Sequence, residues 1–167
     1  MDIVKLVRKA ENSSFYRWLL SRGLNHIVPF NKPHRFRIES VSATHLKVRL
    51  PYRKRNLNHL KGLHACAMAT LAEVSSGFLL VSNLDPKKYR LILQKLEMEY
   101  HYQGKMDALA EFSFEDDWLD REVRKPLESQ PALLIPCEVK IHDVDGNHLA
   151  TGVAHWQIKN WEKVRTK

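Results

Sequence analysis

Apolar residues recur at helical spacing near the start of the chain, at Ile3, Leu6, Val7 and Ala10 and then at Phe15, Trp18 and Leu19. The spacing predicts a helix over residues 3–22, broken near Asn12-Ser13-Ser14, stopped at Gly23 and packed on the main body. Pro29 and Pro33 punctuate an irregular connector. The period then falls to two. Residues 35–39 alternate, and so do residues 45–50, with Leu46, Val48 and Leu50 on one face and cations on the other. A basic loop over residues 51–62 leads into the most apolar stretch, residues 63–84. It is too long for one strand and rich in Ala, Leu and Met, so it predicts a helix of about five turns. Asn83-Leu84-Asp85-Pro86 ends it. Beyond it the chain reads as strand. Residues 89–102 alternate in their second half, Gln103-Gly104-Lys105 is a turn, and residues 108–114 alternate again. The charged residues 115–130 read as a short crossing helix. Residues 133–144 and 148–161 are strands joined by a hairpin turn at Asp145-Gly146-Asn147. The order is that of an α+β protein, an antiparallel sheet with one long helix on one face.

Composition narrows the function classes. A chain of 167 residues, 44% hydrophobic and 28% charged, is the size and character of one globular domain. No run of about 20 apolar residues is present to span a membrane. Charges interrupt every apolar run of the N-terminus, so it does not read as a signal peptide. Cys66 and Cys137 lie far apart and form neither a metal-ligand cluster nor a disulfide framework, which points to the reducing cytoplasm. The 27 basic against 19 acidic residues give a net charge of +8, suited to a polyanion. Nucleic acid, a membrane surface and the phosphates of coenzyme A all qualify.

The chemistry concentrates in residues 56–73. A glycine-containing loop feeds the N-terminus of the long helix. The first N–H groups of a helix lack internal partners and sit at the positive end of its dipole, where they can hold an oxygen gaining negative charge. Ala65 and Ala67 are small enough to let a substrate approach the backbone. On a helical wheel Cys66, Thr70, Glu73 and Gly77 form one small or polar strip, with Met68, Leu71, Val74 and Phe78 on or near the other side. A carboxylate in a partly apolar cleft has a raised pKa and serves as general base or nucleophile. The plainer reading of Glu73 is a solvated surface glutamate. The apolar residues around it argue against that.

The spacing Asn58-x-x-x-Gly62-x-His64, with Glu73 nine residues after the histidine, resembles the motif of hotdog-fold acyl-CoA thioesterases of the phenylacetyl-CoA thioesterase type. A closer resemblance is to an uncharacterised hotdog family related to them, in Asn58-His59, Gly62, His64-Ala65, Ala72-Glu73 and Gly77. It covers roughly residues 30–160. It implies a hotdog fold, an antiparallel sheet wrapped around one long central helix, over residues 29–167, with an extra N-terminal helical extension over residues 1–28. It further implies that Glu73 is the general base or nucleophile and that the Ala65 N–H is the oxyanion donor. Asn58, from a second subunit, would place the substrate or water, and His64 would orient the thioester. The site would lie across a homodimer interface, in a dimer or a dimer of dimers, with no cofactor beyond the coenzyme A that the substrate carries. Two departures stand out. Ala65 and Cys66 occupy the positions of the family's Gly-Gly, and Glu73 replaces the commoner aspartate.

Other readings compete. Gly62, Cys66 and Thr70 would lie against the substrate, and Arg53, Arg55 and Lys61 would meet coenzyme A phosphates; the plainer reading of the basic loop is solvated surface. Lys87, Lys88 and Arg90 form a second basic cluster. Cys66 near a helix start suggests a lowered thiol pKa, but a small packed residue is the simpler expectation. Cys137 alternates with Ile135 and Val139 and belongs to the core. His59 and His64 have no partners at metal-ligand spacing. Trp156, Lys159, Trp161 and Lys163 come nearest to the interleaved aromatic and basic pattern of a nucleic-acid surface but match no recognition module. No segment resembles the motifs of hotdog hydratases. The function expected is acyl-CoA thioester hydrolysis. The alternatives are an acyl-CoA or acyl-carrier binding protein without turnover, and a basic nucleic-acid scaffold.

Overall fold

The computed structural model describes residues 3–163. Helix α1 (Ile3–Glu11) buries Leu6, Val7 and Ala10, the face its periodicity marked. The break at residues 12–13 falls where expected, and α2 (Ser14–Ile27) follows. Gly23 does not stop α2. Pro29 does: the residue before a proline is driven out of the helical region, and Val28 is extended at φ −102° and ψ 103°.

The remaining elements are β1 (Arg37–Val41), β2 (His45–Leu50), α3 (Ala65–Asn83), β3 (Tyr89–Tyr100), β4 (Ala108–Ser113), the one-turn α4 (Pro126–Ser129), β5 (Leu133–Asp143) and β6 (His148–Asn160). A π-helical turn, Asp120–Arg124, leads into α4 in the crossing segment. The six strands form one antiparallel sheet in the order β1-β2-β4-β5-β6-β3. The β5–β6 hairpin closes on Gly146 at φ 87°, with the Asp143 carboxylate accepting from the N–H groups of Asp145 and Asn147.

Helix α3 packs on five strands, β2 to β6. Strand β2 alternates strictly, with Leu46, Val48 and Leu50 fully buried. By length and composition α3 resembles a membrane-crossing helix, contrary to the reading that no such run exists. It is 67% buried within the fold, as a core helix is. Its seat is close. A Cβ at Gly152 of β6 would stand 2.7 Å from the Ala72 Cβ, and one at Gly77 would stand 2.5 Å from the Trp156 ring.

The two sheet edges differ. Strand β1 is covered by α2. The Asn25 amide donates to the Phe36 carbonyl (2.7 Å) and its oxygen accepts from the Phe36 N–H (2.9 Å). The Ser21 hydroxyl accepts from the Ile38 N–H at 2.8 Å. Strand β3, twelve residues long, pairs among the described residues only with β6, which leaves its other edge open to them.

Overpacking a close contact costs about 1–3 kcal/mol. Gly152→Ala is expected to lose stability in that range in urea unfolding, and to lose less when Ala72→Gly is made in the same chain.

Candidate functional site

Helix α3 begins at His64, whose Nδ1 accepts from the Cys66 N–H at 3.0 Å as a side-chain cap. The Ala67 and Met68 N–H groups bond the His64 carbonyl. Of these first N–H groups, that of Ala65 alone has no partner among the described residues. Ala65 and Cys66 are exposed. Cys66 is therefore no packed core residue: at the first turn of α3 it points away from the sheet that buries Ala67 and Met68. Cys137 is core, and burial pushes its thiol pKa up to about 12.

The loop before α3 is tied down by residues that the motif did not single out. Asn56 is fully buried. Its amide donates to the carbonyls of His34 (3.0 Å) and Pro51 (2.8 Å), its oxygen meets His34 Nδ1 at 3.0 Å, and its own carbonyl accepts from the His64 N–H. The Asn58 oxygen accepts from the Leu60 and Gly62 N–H groups at 2.9 and 3.0 Å, so it shapes the loop. A Cβ at Gly62 would stand 2.8 Å from the Gln103 side chain. The Thr70 hydroxyl is buried and returns to the Cys66 carbonyl at 2.8 Å.

Two turns further along α3 a cavity of about 440 Å³ opens between α3, α1, α2, the connector, β3 and β6. Glu73 lines it with Val74, Gly77, Phe78 and Val81. These positions share one sector of the helix at 100° per residue. The strip drawn from the sequence was thus too narrow: Val74 and Phe78 face the same space as Glu73, and Cys66 and Thr70 do not reach it. Leu24 and Ile27 of α2, with Ile3 of α1, close the opposite wall, and the Trp156 indole, held by the Ser76 hydroxyl at 3.0 Å, lies against Gly77. Trp156 is therefore a buried wall of this cavity rather than part of a nucleic-acid surface. Trp161 donates to the Pro86 carbonyl, and the Lys163 side chain lies outside the described residues.

Among the described residues Glu73 is the one ionisable residue lining the cavity, and none of them sends a hydrogen bond or ion pair to its carboxylate. Burial alone raises its pKa above the ordinary glutamate value. The site therefore joins an apolar chamber to a carboxyl group held ready to take a proton. Sequence periodicity marked Glu73 but missed the wall from α1 and α2, whose apolar faces were legible and whose target was not.

Arg53 and Arg55 do not line this cavity; they lie in a separate cleft beside α2. Lys61, at φ 59°, is exposed, and its carbonyl accepts from the Tyr52 hydroxyl.

A family model described as a domain of unknown function, DUF4442, matches residues 16–161. The chain belongs to this family. No curated protein matches the DUF4442 chain. A Pseudomonas aeruginosa protein of unknown function, described as a probable thioesterase, is similar at 21% identity and a TM-score of 0.78, over 86% of this chain and 95% of that one. A mutant thioesterase from Pseudomonas aeruginosa is similar at 12% identity and a TM-score of 0.64, over 96% and 95%. A thioesterase from Haemophilus influenzae is similar at 11% identity and a TM-score of 0.62, over 83% and 90%. These likenesses show the fold: this DUF4442 chain has the hotdog fold, with extra N-terminal helices.

A glutamate whose pKa is raised by folding opposes stability once it must ionise. The folded state holds its proton longer, so stability falls as pH rises from the unfolded value of about 4.3 to the raised folded value. Glu73→Gln is expected to raise the melting temperature at pH 7, with the gain vanishing below about pH 4, where both forms are neutral. Asn56→Ala is expected to cost about 1–3 kcal/mol for the buried groups left unpaired, read by chemical denaturation.

Proposed function

We propose that this chain is a cytoplasmic, homodimeric thioesterase that hydrolyses an acyl-CoA, with Glu73 as its general base. The observation that carries the reading is the unpartnered, burial-perturbed Glu73 carboxylate in an otherwise apolar cavity. In the reaction Glu73 takes a proton from water, whose oxygen attacks the thioester carbonyl carbon. The Ala65 N–H donates to the oxygen that becomes negative. The carbonyl then re-forms as the C–S bond breaks, and the proton held by Glu73 passes to the leaving sulfur, releasing the acid and the coenzyme A thiol and leaving Glu73 ionised again.

Helix geometry supports a dimer. Ala65 and Glu73 are eight residues apart on α3, about 12 Å along the axis at 1.5 Å per residue. One chain therefore cannot bring both groups to one carbonyl. Two copies can, the N–H coming from one and the carboxylate from the other. The open edge of β3 supports such pairing, since a second β3 would complete its hydrogen bonds. His64 then serves as the cap that holds the first turn in position, and Asn58 as the residue that shapes the loop before it.

The second reading, acyl-CoA binding without turnover, draws on Ala65 and Cys66 where the resembling family has glycines. Incubation with aromatic and short-to-long aliphatic acyl-CoAs, followed by thiol release, separates the two. We expect turnover of at least one ester, reduced about 10²–10⁴-fold in Glu73→Gln. Binding without turnover in the unaltered protein would leave the second reading. Neither turnover nor binding would remove both.

A further inference from the structure

On the outer side of α2, away from Glu73, lies a cleft of about 480 Å³, within the range of about 300–1,000 Å³ typical of small-molecule sites. Among the described residues it is lined by six permanent cations, Arg22, Lys32, Arg35, Arg37, Arg53 and Arg55, with His26 beside them and no carboxylate. Elsewhere Arg49 bonds Glu39 and Asp107, Arg121 bonds Asp117 and Glu122, and Arg124 bonds Asp120. Here a buried Arg53 Nη1 has no hydrogen-bond partner among the described residues. Desolvation, then the charges of Arg35 and Arg55, lower the Arg53 pKa. Arg35 also stands at φ 56°, a region that non-glycine residues seldom occupy. Like charges gathered in one cleft, relieved at Arg37 by the nearby Asp107, attract an anion with several oxygens.

The same cleft contains a flat ring. Trp18 is 54% exposed; Phe15 stacks on it with centroids 5.9 Å apart, and the Arg22 guanidinium lies 5.3 Å from its centroid. Ser21 and Asn25, which line the cleft, are fixed by their bonds to β1. A half-exposed indole beside guanidinium forks fits a base packed next to phosphates.

We propose that this cleft binds a nucleotide carrying at least two phosphate groups, its base on Trp18 and its phosphates among Arg35, Arg37 and Arg53. Two sources share that chemistry, the nucleotide end of coenzyme A and a free nucleotide. The thioesterase reading guides only the choice of probe, and the site stands without it. The cleft borders β1, at the far edge of the sheet from β3. None of the described residues that line the cleft belongs to β3.

The test is calorimetric titration of the full chain with adenosine 3′,5′-bisphosphate, which has no thioester. Arg37→Ala with Arg53→Ala is expected to weaken binding at least about tenfold, the loss of charge-assisted hydrogen bonds. Trp18→Ala should weaken the nucleotide several-fold and leave inorganic phosphate unaffected. Melting curves of each variant establish that it is folded. Displacement of the nucleotide by coenzyme A identifies the substrate end as the source; retention under saturating coenzyme A identifies a free nucleotide. Either supports the site. No binding, binding indifferent to these substitutions, or inorganic phosphate held as tightly as the nucleotide would overturn it. So would a single-stranded RNA that binds through these residues where the mononucleotide does not. Glu73→Gln should bind the nucleotide unchanged, so an absence of turnover is scored apart from this site.

Discussion

The contact on which the architecture turns is the close seating of α3 in the sheet. Ala72 meets Gly152 with no room for another methyl group, and Gly77 meets the edge of the Trp156 indole. These two contacts fix the rotation of the helix about its axis. With Ala72 against β6 and Gly77 against Trp156, the neighbouring Glu73 is turned to the sector facing α1 and α2. A helix placed more loosely could roll and return its carboxylate to water. Close packing of small residues thus sets the electrostatics of the site, because the same rotation that buries Ala72 desolvates Glu73.

The second determinant is the attachment of α2 to β1. Asn25 and Ser21 use side-chain atoms to complete the backbone hydrogen bonds of the strand edge, so that a helix takes the place of a seventh strand. One edge of the sheet is closed to other chains by this means, while β3 stays open. Helix α2 also separates two environments. Its Leu24 and Ile27 wall the apolar cavity, and its Trp18, Arg22 and His26 line the cationic cleft. Helix α2 is therefore part of both candidate sites, and α1 of the first, rather than an appendage to the sheet.

Much of this was legible in the sequence, because period and turn chemistry are local. The strict alternation of β2 and β5, the apolar run of α3, the break between α1 and α2 and the turn at Gly146 follow from neighbouring residues alone. Gly23 misled for the same reason: a glycine can stop a helix, but the chain continued to the restriction that Pro29 imposes. Cys66 read as core because its neighbours are apolar, and only the direction of the first turn of α3 exposes it.

By itself the sequence determined the class of fold, the long central helix and Glu73 as a carboxylate among apolar residues. Tertiary structure decided the company each residue keeps. Strand β3 pairs with the last strand rather than with β4, which follows it, since pairing depends on non-local hydrogen bonds that periodicity does not encode. Trp156 became a cavity wall, Asn56 an anchor buried among distant carbonyls, and Arg53 one of six cations gathered from α2, the connector, β1 and the loop before α3. Each of these facts joins residues far apart in the chain, and burial and charge are properties of that assembled neighbourhood.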